Sequence, residues 1–405
     1  MKIRQSQKNA GTQWQLVKLG DIGKVSMCKR VLKGQTQPIG DVPFYKIGTF
    51  GDIPDAYIPR ELYDEYKKKY SYPQKGEILI SASGTIGRTV VFNGEKAYFQ
   101  DSNIVWISNP QDRVLNKFLN YVYLRTKWKS TDGGIISRLY NEDLRSIKFD
   151  LPPLPEQNRI VVVLETLDQA IQKLTQKIER KKNIKKGLMQ GLLTGKKRLP
   201  GFSDKWESTK LGKIASFKKG KGLSKSELNS EGKYEAIHYG ELFTKYNEYI
   251  ENIISRTNSN KNRFLSKKND ILMPTSDVTP RGLSTASYMD KDGVILGGDI
   301  LVIRSTGSLN GLFFCYLVNL NKKGVIKLVS GSTVFHLYGS DMAKFELKLP
   351  PLKEQESIIN ILVTADKEIQ TLEGKLEALR EQKRYLLNNL ITGTIRTPET
   401  LLIKV

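Results

Sequence analysis

Cysteine and histidine are nearly absent from this chain, and their scarcity excludes several kinds of protein. Two cysteines, Cys28 and Cys315, cannot build a disulfide framework. Two histidines, His238 and His336, leave too few ligands for a zinc finger, which needs about four Cys, His or carboxylate groups in tight spacing. No apolar run approaches the roughly 20 residues that a bilayer-spanning helix requires. The start, Met1-Lys2-Ile3-Arg4-Gln5-Ser6-Gln7-Lys8, has no apolar signal core, so the expectation is a cytoplasmic protein with no membrane partner. No Gly-x-x-x-x-Gly-Lys-Ser/Thr loop occurs. Gly220-Lys221-Gly222-Leu223-Ser224-Lys225-Ser226 has the composition but not the spacing, and reads as a basic loop. An Asp-Pro-Pro-Tyr-like methyltransferase motif is missing too, because Asp150-Leu151-Pro152-Pro153-Leu154 has an intervening leucine.

Acidic residues are also in short supply. Asp and Glu number 42 against 65 Lys and Arg, a net charge of +23 over 405 residues. Such an excess repels itself unless a polyanion or an acidic partner balances it, and nucleic acid is the leading candidate. At 39% hydrophobic and 26% charged residues the chain is globular, and its length allows two or three domains with their own cores.

What the chain does have is a repeat. Leu151-Pro152-Pro153-Leu154-Pro155-Glu156-Gln157 opens a predicted helix ending at Leu193-Thr194-Gly195. Leu349-Pro350-Pro351-Leu352-Lys353-Glu354-Gln355 opens another, ending at Ile391-Thr392-Gly393, and the two align without a gap. Prolines suit a first helical turn and glycine suits the stop. Apolar residues recur with alternating steps of four and three at Ile160, Leu164, Leu167, Ile171, Leu174 and Ile178. The second copy repeats the pattern at Ile358, Leu362, Ile369, Leu372, Leu376 and Leu379. Lys181 and Lys185 interrupt it in the first copy, and Lys383, the counterpart of Lys185, in the second. A period of about 3.5 residues makes a narrow stripe suited to another helix. A two-fold relation between the copies would pair the helices antiparallel.

The segments before each helix read as mixed α/β domains with matching openings, Trp14-Gln15-Leu16-Val17-Lys18-Leu19-Gly20 and Trp206-Glu207-Ser208-Thr209-Lys210-Leu211-Gly212. Ile78-Leu79-Ile80 and Ile271-Leu272-Met273 look like buried strands. Between these anchors the two segments diverge, as modules that read different targets would. The expected fold is mixed α/β (α+β) with an internal pseudo-two-fold repeat. Its blocks are 1–150, a first globular domain; 151–195, a first spacer helix; 196–348, a second globular domain; and 349–405, a second spacer helix and tail.

These paired Leu-Pro-Pro-Leu-x-Glu-Gln openings, heptad helices, Leu/Ile-Thr-Gly endings and Trp-x-x-x-Lys-Leu-Gly starts resemble the specificity subunit of type I restriction–modification systems. The likeness covers nearly the whole chain. It implies two target-recognition domains joined by a long antiparallel two-helix coiled coil, a double-stranded DNA target, two docked methyltransferase subunits, and restriction/translocase subunits in the same complex. It implies a chain that performs no chemistry and binds no metal or cofactor, with S-adenosylmethionine, ATP and Mg expected on the partner subunits. Recognition would fall to loops. The candidates in the first domain are Lys29, Arg30, Ser83, Thr85, Arg88, Ser137 and Arg138. In the second they are Lys218, Lys219, Lys221, Ser276, Thr279, Arg281, Thr333 and His336. Cationic and hydroxyl side chains of this kind contact phosphates and base edges. For any single one, an ordinary turn or surface charge is an equal explanation. The basic run Lys181-Lys182, Lys185-Lys186 and Lys196-Lys197-Arg198 suits a DNA backbone, a solvated face or an acidic partner. The alternative function is a metal-dependent DNA endonuclease. Asp55, Glu65 and Lys67 fit a Pro-Asp…Glu-x-Lys pattern, in which two carboxylates hold Mg²⁺, although the stretch around Glu65 reads as a solvated helix.

Overall fold

A computed structural model describes residues 13–128 and 138–400. By internal contacts the chain divides into two compact units, Met1–Leu174 with Lys375–Val405, and Thr175–Gly374. Each unit therefore takes the first part of one long helix and the last part of the other.

In the first unit an antiparallel sheet runs in the order Lys24–Met27, Ile104–Ser108, Ile78–Ser81, Thr89–Val91. Its central strands are continuous apolar runs because both faces are covered. One face meets the helix Asn116–Arg125 through Phe118, Leu119 and Val122. The other meets a small sheet, Tyr57–Ile58, Val42–Tyr45 and Tyr98–Phe99, through Phe44, Leu79, Tyr98 and Trp106. The strand Gln15–Lys18 pairs with Lys148–Leu151 just before the long helix Leu154–Leu192. Leu151 thus closes a strand, and the helix starts only at Leu154, after the two prolines.

The second unit repeats the plan with more strands. Its main sheet has the order Ala215–Lys219, Ile300–Ser305, Asp270–Pro274, Ser287–Met289, Tyr249–Ile250. A second five-stranded sheet is centred on Tyr234–Ile237, and the helix Gly311–Leu320 packs on the core. Glu207–Lys210 pairs with Glu346–Leu349 ahead of the long helix Leu352–Ile391.

The repeated motif acts as a joint. Gln157 is fully buried. Its Nε2 donates to the carbonyls of Pro152 and Arg113, both at 2.8 Å, and its Oε1 accepts from the Leu115 amide at 2.8 Å. Gln355 does the same with Pro350, Ser308 and Asn310. A side-chain amide has two donors and one strong acceptor, and here every one is satisfied out of water. The neighbouring glutamates are clamped. Glu156 accepts from Arg396 Nε and Nη2, each at 2.6 Å, and from Trp14 Nε1 at 3.0 Å. Glu354 accepts from Arg198 Nε and Nη2 at 2.7 and 2.8 Å and from Trp206 Nε1 at 3.2 Å. Burial alone would raise the Glu156 carboxyl, but the Arg396 and Trp14 hydrogen bonds outweigh it and hold the pKa below the usual glutamate value.

The helix pairing is antiparallel within each unit. Asp168 of the first helix binds Lys383 of the second in one unit, and Lys185 binds Asp366 in the other. The lysines that interrupt the heptads therefore have a purpose. Lys383 lies over the Tyr121 ring, whose hydroxyl donates to Asp168 at 2.8 Å, and Lys185 lies over Tyr316, which donates to Asp366. Each triad ties two helices to the domain helix. Burial, reinforced by the carboxylate, pushes both phenols well above their usual pKa, so they stay donors. Lys181 and Lys182 are paired to Glu368 and Glu373, so this part of the basic run is neutralised within the chain. Of the stripe residues, Ile160, Leu164, Ile178, Ile358, Leu362, Ile369, Leu372 and Leu376 are buried, and Leu167, Ile171, Leu174 and Leu379 are partly buried.

Candidate nucleic-acid interface

The sheet strands connect two different environments. At one end Ser108 leads through Asn109 and Val114 to the buried Gln157 joint. At the other end lie most of the loops singled out in the sequence. The turn 81–88 is built on Ser81, which is buried. Its amide donates to the Arg88 carbonyl at 2.9 Å, its carbonyl accepts from Gly87 at 3.0 Å, and its hydroxyl accepts from the Arg88 amide at 2.9 Å. Gly87 has φ +80°, and a β-carbon there would fall 2.0 Å from the Trp128 ring, so only glycine fits. The tight turn leaves Thr85 and the Arg88 side chain exposed.

Ser83 and Arg138 form an antiparallel bridge, and Ser83 Oγ donates to Asn103 Oδ1 at 2.9 Å. Arg138 donates to the Ser102 carbonyl at 3.1 Å, and Arg30 is ion-paired to the adjacent Asp101 at 2.9 Å. The fold thus gathers Arg30, Ser83 and Arg138 around Asp101–Asn103, with Thr85 and Arg88 on the same turn. Lys29 turns aside, with its ammonium 5.1 Å from the centre of the Tyr70 ring. Ser137 lies outside the described residues.

The second unit repeats this wiring, with a serine in common and a histidine in place of the arginine. Ser276 pairs directly with His336. The amides of Ala82 and Thr275 donate to the carbonyls of Asn103 and Asp299, and the amides of Leu139 and Leu337 donate to the carbonyls of Ala82 and Thr275. Ser83 and Arg138 are therefore the structural counterparts of Ser276 and His336. Thr333 is exposed at the tip of the hairpin Ser330–Gly331, Phe335–His336. Thr279 accepts from the Gly282 amide at 3.3 Å and donates to Asp277 at 2.8 Å, and it starts the short turn that exposes Arg281. Lys219 reaches Asp299 at 3.3 Å and Lys221 reaches Asn262, while Lys218 is exposed on the strand Ala215–Lys219. Sequence reasoning missed the partners Asp101, Asn103, Asp299 and Asn262. Each lies far along the chain from the side chain it holds, so no local pattern marks it.

The endonuclease constellation is not assembled. Asp55 is paired with Lys46 at 2.8 Å, and Glu65 with Lys69 at 2.9 Å on the helix Arg60–Lys69. Lys67 donates to the Tyr63 hydroxyl at 3.1 Å, against the Tyr63 and Tyr72 rings. Among the described residues no cluster of three or more His, Cys, Asp or Glu could hold a metal. No helix among them is long and apolar enough to cross a membrane.

The type I restriction modification DNA specificity domain matches twice, over residues 12–182 and 203–381. The chain belongs to the family of type I restriction–modification DNA specificity subunits. A putative type I restriction enzyme specificity subunit of Haemophilus influenzae is 59% identical over 160 residues, 40% of this chain and 42% of that protein. The putative MjaX specificity subunit of Methanocaldococcus jannaschii is 25% identical over 95% of this chain and 94% of its own length. The S subunit structure from M. genitalium superposes with a TM-score of 0.59 at 16% identity, covering 95% of this chain and 98% of that one. A chain from a structural study of type I complex assembly and conformational transition gives 0.57 at 15%, covering 96% and 100%. At those identities the structural likeness speaks for the fold. The twofold domain match covers most of this specificity subunit, including both sets of loops and all but the last ten residues of each long helix.

Proposed function

We propose that each globular domain of this subunit reads one half of an asymmetric, bipartite duplex target, through the loops around Ser83 and Arg138 in one domain and around Ser276 and His336 in the other. Phosphate contacts set register and base-edge contacts set sequence. The long helices hold the two half-sites at a fixed spacing and dock two methyltransferase subunits, and restriction subunits join the same complex. The chain itself is non-catalytic and works in the cytoplasm. S-adenosylmethionine, ATP and Mg belong to its partners. One observation carries the reading: equivalent backbone hydrogen bonds set a serine, Ser83 or Ser276, opposite an arginine in one unit, Arg138, and a histidine in the other, His336. A scaffold kept constant under changed side chains suits a reader of two different sequences.

Domain exchange tests it. With residues 204–348 replaced by the equivalent segment of another specificity subunit, mapping of methylated bases in host DNA should show one half of the target changed and the other retained. Changes in both halves would refute independent reading.

A further inference from the structure

The basic loop that fails as a nucleotide-binding motif has a counterpart in the other unit, and the pair points to a contact that neither sequence segment suggests alone. After the strand Lys24–Met27 comes Lys29-Arg30-Val31-Leu32-Lys33-Gly34-Gln35. After Ala215–Lys219 comes Lys221-Gly222-Leu223-Ser224-Lys225-Ser226-Glu227. Each loop closes in one 3-10 turn, Lys33–Gln35 and Lys225–Glu227. Each turn is fastened in the same way. The Leu32 amide donates to Gln35 Oε1 at 2.8 Å, and the Ser224 amide donates to Glu227 Oε2 at 2.7 Å. Within these loops only the first and fifth positions are identical, and both are lysine.

The first lysine of each loop has a partner, since Lys29 lies over Tyr70 and Lys221 donates to Asn262. Arg30 and Lys219 close by are ion-paired with Asp101 and Asp299. The fifth-position lysines differ. Lys33 and Lys225 are exposed, and among the described residues neither forms an ion pair. Two domains that read different bases share one thing in their ligand, the phosphodiester backbone. A feature kept in both, in a loop that leaves the strand end beside Asp101–Asn103 in one unit and Asp299 in the other, suits that backbone rather than the bases.

We propose that Lys33 and Lys225 are equivalent phosphate anchors, one in each unit, that seat the DNA for reading without taking part in base choice. The proposal rests on the DNA-reading function above and adds a division of labour to it. An unpaired ammonium displaces a condensed counterion when it meets a phosphate, so each anchor contributes about 0.9 to the slope of log affinity against log salt. Over a fourfold rise in salt that is a factor of about 3.5 in affinity.

The test uses the full chain assembled with its methyltransferase subunits, carrying Lys33→Gln, Lys225→Gln, both, or the Lys→Arg replacements. Binding to the methylated target duplex and to a scrambled duplex is measured between 50 and 200 mM salt, conditions for which the slope is about 0.9 per phosphate. Each Gln variant should lower the slope by about one phosphate, the double variant by about two, with equal losses on both duplexes, an unchanged methylated sequence and recovery by Arg. An unchanged slope, a loss confined to the target duplex, or an altered methylated sequence would overturn the assignment. A wild-type complex that binds duplex without salt dependence would overturn the phosphate anchors and leave sequence reading standing. One that binds no duplex would overturn both.

Discussion

In the first unit Glu156 is held by Arg396 and Trp14; in the second, Glu354 is held by Arg198 and Trp206. Tyr121, Asp168 and Lys383 have their equals in Tyr316, Asp366 and Lys185. Away from these joints the likeness fades. Among the described residues the main sheet has four strands in one unit and five in the other, the sheet centred on Val42–Tyr45 has three strands where the one centred on Tyr234–Ile237 has five, and only the second unit has a further three-stranded sheet. The difference teaches where each kind of constraint acts. A buried carboxylate or amide must find every partner or pay a desolvation penalty, so the joints tolerate little change. Exposed loop side chains carry no such penalty, so they can change while the fold stays the same.

The comparison can be broken most forcefully at the clamps. Glu156→Ala removes the carboxylate shared by Arg396 and the Trp14 indole and should cost about 2–3 kcal/mol, below the 3–5 of a fully buried pair because Arg396 is half exposed. Glu354→Ala should cost at least as much, since Glu354 is fully buried and Arg198 less exposed than Arg396. Urea unfolding of the two variants checks this, and a clamp whose loss has no effect would end the equivalence. The pH dependence has a definite sign. The folded pKa of Glu156 is lowered, so its stabilisation is present above the unfolded value of 4.5 and is lost as pH falls through the folded value. Glu156→Gln should therefore flatten the acid limb of the stability curve below pH 4.5, and an unchanged limb would show that the clamp does not set it.

A smaller effect is expected at the helix ends. Gly195 and Gly393 both have φ +69° and lie against Trp206 and Trp14. Alanine at either should cost about 1 kcal/mol through the left-handed backbone alone, and more at Gly393, where the ring is 3.2 Å from the added carbon against 3.4 Å at Gly195. Thermal unfolding should rank Gly393→Ala below Gly195→Ala, and the reverse order would contradict the closer packing. Smallest of all, Tyr121→Phe and Tyr316→Phe each remove one hydrogen bond to a partly exposed aspartate that keeps its lysine, and should cost about 0.5 kcal/mol by denaturant titration. A loss several times larger in one unit would mean that the two triads are not equivalent.

The candidate site was legible in part. Loop positions could be found because two copies can be aligned, and turn chemistry around Gly84 and Gly87 marks a tight reversal. Which cations are available to a ligand was not legible. Arg30, Lys219 and Lys221 look alike in sequence to Lys33 and Lys225, yet the first three have side-chain partners. The basic run on the first long helix suits a DNA contact by sequence, with a solvated face or an acidic-partner site nearly as good, whereas in the structure Lys181, Lys182 and Lys185 are paired with the second helix.

The sequence by itself determined the duplication and the two long helices, because periodicity and proline and glycine punctuation are local properties. Only the tertiary structure decided why a glutamate and a glutamine follow each proline pair, why lysine sits within a leucine stripe, and which charges remain open. Those answers depend on which distant groups share a desolvated space. The energy of a carboxylate or an ammonium is fixed by its neighbours there rather than by its place in the chain.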